Sequence, residues 1–126
     1  MKLGIVGSRR RAKTEDYLIL RQRVIDLNPE MIISGGCPIG ADAFAEQIAK
    51  ALGIPITIYY PKLRAGREYL YHEITKANYA RNQLIAIHSD RLIALVAEDR
   101  KGGTENTIGH FKSDAPSDWE DNLEIL

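Results

Sequence analysis

The chain has 126 residues and a mass of 14.1 kDa, which fits one domain, since domains most often run to about 100–150 residues. Apolar residues make up 44% and charged residues 27%, near the globular norm, which excludes a disordered or fibrous chain. The 17 basic and 17 acidic residues cancel, whereas a general nucleic-acid binder carries a marked basic excess.

Residues 2–6 are short and apolar and end in Gly7-Ser8, a strand running into a turn. Thr14 is the expected N-cap of a first helix, with Glu15 and Asp16 in its first turn. Tyr17, Leu20, Val24 and Leu27 recur at helical spacing until Asn28-Pro29 closes it. Residues 31–34 form a buried strand, and residues 35–40, rich in glycine, form a loop. Ala41, Phe44, Ala45, Ile48, Ala49 and Leu52 then make a one-sided stripe stopped by Gly53. Residues 54–60 alternate as a third strand, followed by a polar loop over residues 62–68.

The pattern predicts a long helix over residues 69–87, with Leu70, Ile74, Ala77, Arg81 and Leu84 along one side. Residues 91–97 form a fourth strand, and Thr104 is the expected cap of a helix carrying Ile108 and Phe111. The acidic tail, residues 114–126, contains Pro116 and ends in a short strand at residues 123–126. No repeat or linker divides residues 1–126, so one domain is expected. Strand–helix alternation with short connections predicts an α/β fold: a three-layer, Rossmann-like parallel sheet with helices on both faces. The expected strand order places the first strand in the centre.

No apolar run is long enough to cross a bilayer, and the opening stretch breaks at Ser8-Arg9-Arg10-Arg11, unlike a secretory signal. Cys37 is the only cysteine, which excludes an intramolecular disulfide and a multi-cysteine zinc site. A cytoplasmic, non-membrane protein is expected. His72, His88 and His110 lack metal-ligand spacing, so neither metal nor cofactor is expected.

Ligands of such sheets bind beyond the carboxyl ends of the strands. There the chain places Gly7-Ser8, Ser34-Gly35-Gly36 through Gly40, and Gly102-Gly103-Thr104. Tight turns explain each alone; together they describe a rim, and two of them open helices whose free N–H groups attract anions. Arg9, Arg10, Arg11, Lys13, Lys62, Arg64, Arg67, Arg100 and Lys101 fall in the same strand-end loops. An anionic ligand carrying phosphate is expected there. Gly4-Ile5-Val6-Gly7 is not the dinucleotide fingerprint, and Ala41-Asp42 replaces the Lys-Ser/Thr of a Walker A loop, which disfavours a dehydrogenase or an ATPase. Asp42 complements a helix dipole or faces a ribose. Cys37 reads as a passive thiol. Arg81 is costly on an apolar face without a partner, which is either an anionic ligand group or a carboxylate such as Asp90 or Glu98.

Gly7-Ser8-Arg9, residues 34–42 with Ala45 and Ala49 behind them, Arg81-Asn82, Ser89-Asp90 and Gly103-Thr104 together resemble the SLOG superfamily. This Rossmann-like group includes the LONELY GUY phosphoribohydrolases, the DNA-processing A proteins and the small YspA/YpsA-like proteins, the last being the nearest in pattern. The resemblance spans residues 1–112 and implies a nucleotide-type ligand at the rim. In the LONELY GUY enzymes an arginine on the long helix, matched by Arg81, and a glutamate three residues after Gly-Thr carry N-glycosidic hydrolysis. Here Thr107 holds the glutamate position, Glu105 is the nearby carboxylate, and Lys101-Gly102-Gly103 replaces Pro-Gly-Gly.

Three functions follow as expectations. The first is a sensor or carrier that binds a nucleotide or nucleotide-derived ligand through Gly7, Ser8, Arg9, Ser34, Gly35, Gly36, Gly40, Asp42, Arg81, Asn82, Gly102, Gly103 and Thr104. The second is a nucleoside 5′-monophosphate hydrolase using Arg81 and Glu105. The third is a single-stranded nucleic-acid binder, disfavoured by zero net charge. The resemblance also implies a homodimer or higher homo-oligomer.

Overall fold

The computed structural model describes residues 1–114 and 118–126 of the chain. Ten elements follow in order: β1 (Lys2–Gly7), α1 (Thr14–Leu27), β2 (Met31–Ser34), α2 (Ala41–Leu52), β3 (Ile56–Ile58), α3 (Tyr71–His88), β4 (Arg91–Leu95), α4 (Gly103–Asp114), α5 (Trp119–Asn122) and β5 (Leu123–Ile125). The strands pair in parallel in the order β3-β2-β1-β4-β5. This is the three-layer Rossmann-like architecture that the alternation of apolar strands and amphipathic helices predicts, with β1 in the centre.

Adjacent strand residues face opposite sides of a sheet, so runs apolar at every position mark strands covered on both faces. Leu3, Ile5, Ile32 and Ile93 pack with Leu20 and Val24 of α1 and Ala45 and Ile48 of α2. Their neighbours Ile33, Leu92 and Ala94 pack with Ile85 of α3 and with Ile108 and Phe111 of α4. Among the described residues no helix is long and apolar enough to cross a membrane.

Several boundaries differ from the sequence expectation. Thr14 is the first residue of α1 rather than its cap; Asp16 Oδ2 instead accepts the Lys13 amide at 3.2 Å. Thr104 lies inside α4, because that helix already starts at Gly103. The third strand shortens to Ile56–Ile58 at a sheet edge, where one neighbour alone supplies hydrogen bonds. The fourth strand stops at Leu95, and the Arg100 amide turns back onto the Ala97 carbonyl.

The long helix α3 is rotated from the expected face. It buries Asn82, Ile85 and Ala86, while Leu70 and Ile74 are exposed. The acidic tail also belongs to the fold. β5 pairs with β4, Arg23 forks onto Glu124, and Arg11 donates to the Leu126 carbonyl at 2.8 Å. Pro116 lies outside the described residues.

Candidate functional site

The connection after β1 leads to β2 on one side and the connection after β4 leads to β5 on the other, so the chain leaves the carboxyl ends of these two neighbouring strands in opposite directions. That reversal opens the crevice in which ligands of open α/β sheets bind. A cavity of about 560 Å³ occupies it, between the end of β1, the start of α4 and the inner side of α3. The volume falls in the range of small-molecule sites, roughly 300–1,000 Å³.

Gly7, Ser8 and Arg9 reach the cavity from the end of β1. Gly102, Gly103 and Thr104 reach it from the first turn of α4, and Arg81 and Asn82 from α3. Asp42 contributes from α2. Ser34, Gly35, Gly36 and Gly40 do not line the wall; Ser34, Gly35 and Gly40 contact residues that do, whereas Gly36 packs against Ile58 and Tyr60. A Cβ on Gly35 would stand 2.8 Å from Arg81 Nη1, and one on Gly40 would stand 2.8 Å from the Ser8 carbonyl oxygen. These two glycines let the loop approach the groups that do face the cavity.

Arg81 donates from Nη1 to the Gly35 carbonyl at 2.6 Å and from Nε to Asn82 Oδ1 at 2.9 Å. It makes no ion pair with a carboxylate among the described residues. Of the two carboxylates considered as partners, Asp90 accepts the Lys2 amide at 2.7 Å and Glu98 is exposed. Burial pushes the Arg81 guanidinium below its ordinary pKa, and the charge of Asp42 opposes that shift. Asn82 Nδ2 in turn donates to the Gly103 carbonyl at 3.3 Å and to Asn106 Oδ1 at 3.2 Å, tying α3 to the start of α4.

Asp42 is a brace more than a rim group. Its Oδ1 accepts from Ser34 Oγ at 3.2 Å and its Oδ2 from the Cys37 amide at 3.0 Å. Burial raises its carboxyl above the ordinary value of 3.8, only partly offset by the Cys37 amide, by Arg81 and by Ser34. The folded state therefore holds this proton more tightly than the unfolded chain. The stabilisation from that difference is complete below about pH 4 and is lost as pH rises through the folded value. An Asp42→Asn side chain can accept from Cys37 and donate to Ser34 Oγ, whose hydroxyl then donates its hydrogen bond to the Ile5 carbonyl at 3.1 Å. Urea melts from pH 4 to pH 7 should show a flatter stability profile for Asp42→Asn than for the native chain. Equal slopes would assign the pH dependence to another group.

The basic rim is smaller than the sequence predicts. Arg10 forks onto Asp99 at 3.0 and 2.6 Å, and Arg100 forks onto Glu105 at 2.9 Å for both bonds. Arg11 turns away to Asp16 and the Val96 carbonyl. Lys62, Arg64 and Arg67 do not line the cavity, and Arg67 covers the Tyr69 ring instead. β1 and β4 are neighbours, so Arg10 after β1 meets Asp99 after β4. Arg9, Arg10 and Arg81 are the cations on the cavity wall. Glu105 is not on that wall, whereas Thr107 is, with its hydroxyl 3.4 Å from the Gly103 carbonyl.

Sequence reasoning missed Tyr71, Thr75, Asn78 and Tyr79, which line the cavity from α3. The signal was present: positions 71, 75, 78, 82 and 85 recur at i, i+4, i+7, i+11 and i+14, one face of a helix. Cys37 also reaches the wall. Among the described residues no cluster of three or more His, Cys, Asp or Glu side chains is arranged to hold a metal ion. Compared with protein-family models, curated proteins and solved structures, the chain matches none.

Proposed function

We propose that the cleft binds a nucleotide or nucleotide-derived phosphorylated small molecule at the carboxyl edge of the sheet, as a sensor or carrier. The observation that carries this reading is Arg81. A part-buried guanidinium holds two neutral protein acceptors, keeps Nη2 without a hydrogen-bond partner among the described residues, and lines the cavity. A desolvated arginine of this kind is completed by a phosphate or carboxylate. The first turn of α4 opens on the same space and offers backbone N–H groups and the positive end of its dipole. Ser8 and Arg9 line the same cavity.

The SLOG resemblance belongs to this proposal and agrees with it. Glycosidic hydrolysis has less support: Asp42 is the sole carboxylate on the wall among the described residues, and both its oxygens are engaged. Nucleic-acid binding has less again, because Arg10 and Arg100 are already neutralised.

Isothermal titration of the full chain with AMP, ADP and ADP-ribose tests the reading. Saturable heat with at least one of them is expected, and flat isotherms across the panel would remove it. The homodimer or higher oligomer included in the proposal is supported by the exposed Leu18, Ile19 and Ile25 on α1. Light scattering should give at least twice the 14.1 kDa chain mass, and the mass of one chain would remove that part.

A further inference from the structure

Beyond Arg81 and the α4 N-terminus, the cavity continues along α3 to its first turn. Tyr71, Thr75, Asn78 and Tyr79 line that extension. Their side chains make no hydrogen bond to the protein among the described residues, unlike the engaged Arg81 and Asn82 further along the same helix. Thr75 and Asn78 are half-buried in the wall, while Tyr71 is 85% exposed at the mouth. Two free phenol rings and an amide that can both donate and accept are unlike a phosphate site. They fit a flat, heteroaromatic group with polar edges.

The spacing agrees. From Tyr71 to Arg81 the helix rises about 15 Å at 1.5 Å per residue, a longer reach than a phosphorylated sugar alone fills. The cavity lining also includes Val6 and Ile85, apolar surface that the edge of a ring can cover.

We infer that the α3 stripe is a base platform: the ligand's nucleobase stacks on Tyr71 or Tyr79 and is read at its edge by Asn78, while its phosphate lies at Arg81 and the α4 N-terminus. This rests on the phosphate reading above and extends it, because a phosphate site alone would not distinguish a nucleotide from a sugar phosphate.

Titration of the full chain with AMP and with ribose 5-phosphate tests the platform. The native chain should bind AMP about tenfold more tightly than ribose 5-phosphate, in keeping with the usual worth of base–aromatic stacking. The paired variant Tyr71→Ala/Tyr79→Ala should reduce that ratio to less than about threefold and leave ribose 5-phosphate affinity unchanged. Both tyrosines are exposed, so the variant is expected to fold, and a thermal melt verifies this. Equal native affinities for the two ligands would overturn the platform and leave the phosphate site standing. An AMP preference that survives in the paired variant would overturn the assignment to these rings. Failure of the native chain to bind either ligand would remove the phosphate reading and this inference with it.

Discussion

Arg81→Ala should weaken nucleotide binding by about 10- to 100-fold, the usual consequence of removing a charged hydrogen-bond donor from a part-desolvated site. The guanidinium also holds the Gly35 carbonyl at 2.6 Å, so the melting temperature should fall as well. Arg81→Lys separates the two effects. A lysine restores the charge but not the planar fork that reaches Gly35, Asn82 and a ligand together, so affinity should recover only in part. Full recovery with lysine would make Arg81 a plain counter-charge, and unchanged affinity with alanine would place the phosphate elsewhere.

Gly36→Val should lower the melting temperature and the affinity together. Gly36 has φ +76°, a backbone that costs a β-branched residue on the order of 1–3 kcal/mol. A Cβ there would also overlap the Tyr60 ring and come within 2.8 Å of Ile58 Cγ2, and overpacking of this kind costs roughly 1–3 kcal/mol more. For a domain of this size each kcal/mol moves the melting point by about 3–6 °C. The displaced loop would carry the Gly35 carbonyl away from Arg81. Affinity should therefore drop although Gly36 touches no ligand. A stable variant with native affinity would show that the loop adapts freely and does not set the position of Arg81.

Much of the fold was legible in the order of residues. Residues 31–33 and 92–96 are apolar without alternation, which reads directly as strands covered on both sides. The stripe from Ala41 to Leu52 reads as a one-faced helix. Three rim segments were legible as glycine and serine at strand ends; Gly7, Ser8, Gly103 and Thr104 reach the cavity from two of them, while Gly35 and Gly40 of the third lie behind its wall. The α3 face was not. Its apolar residues Ile74 and Ile87, and Leu70 just before it, lie on the solvent side, and the stripe that meets the cavity is mostly polar, so an apolar face points to the wrong rotation.

Residue types, periods and punctuation by themselves determined the parallel α/β sheet, its helices and the edge on which a ligand site would open, because backbone preference and burial pattern act over a few neighbouring positions. Which charges remain available in that site was decided only by the folded arrangement. Arg10 and Asp99 lie 89 residues apart in the chain, and the pairing of β1 with β4 brings their loops together, so their charges cancel. Arg81 enters through a helix on the other face of the sheet and meets the Gly35 carbonyl instead of a carboxylate. Coulomb attraction and hydrogen bonding depend on separation in space, and that separation follows from strand order, not from distance along the chain.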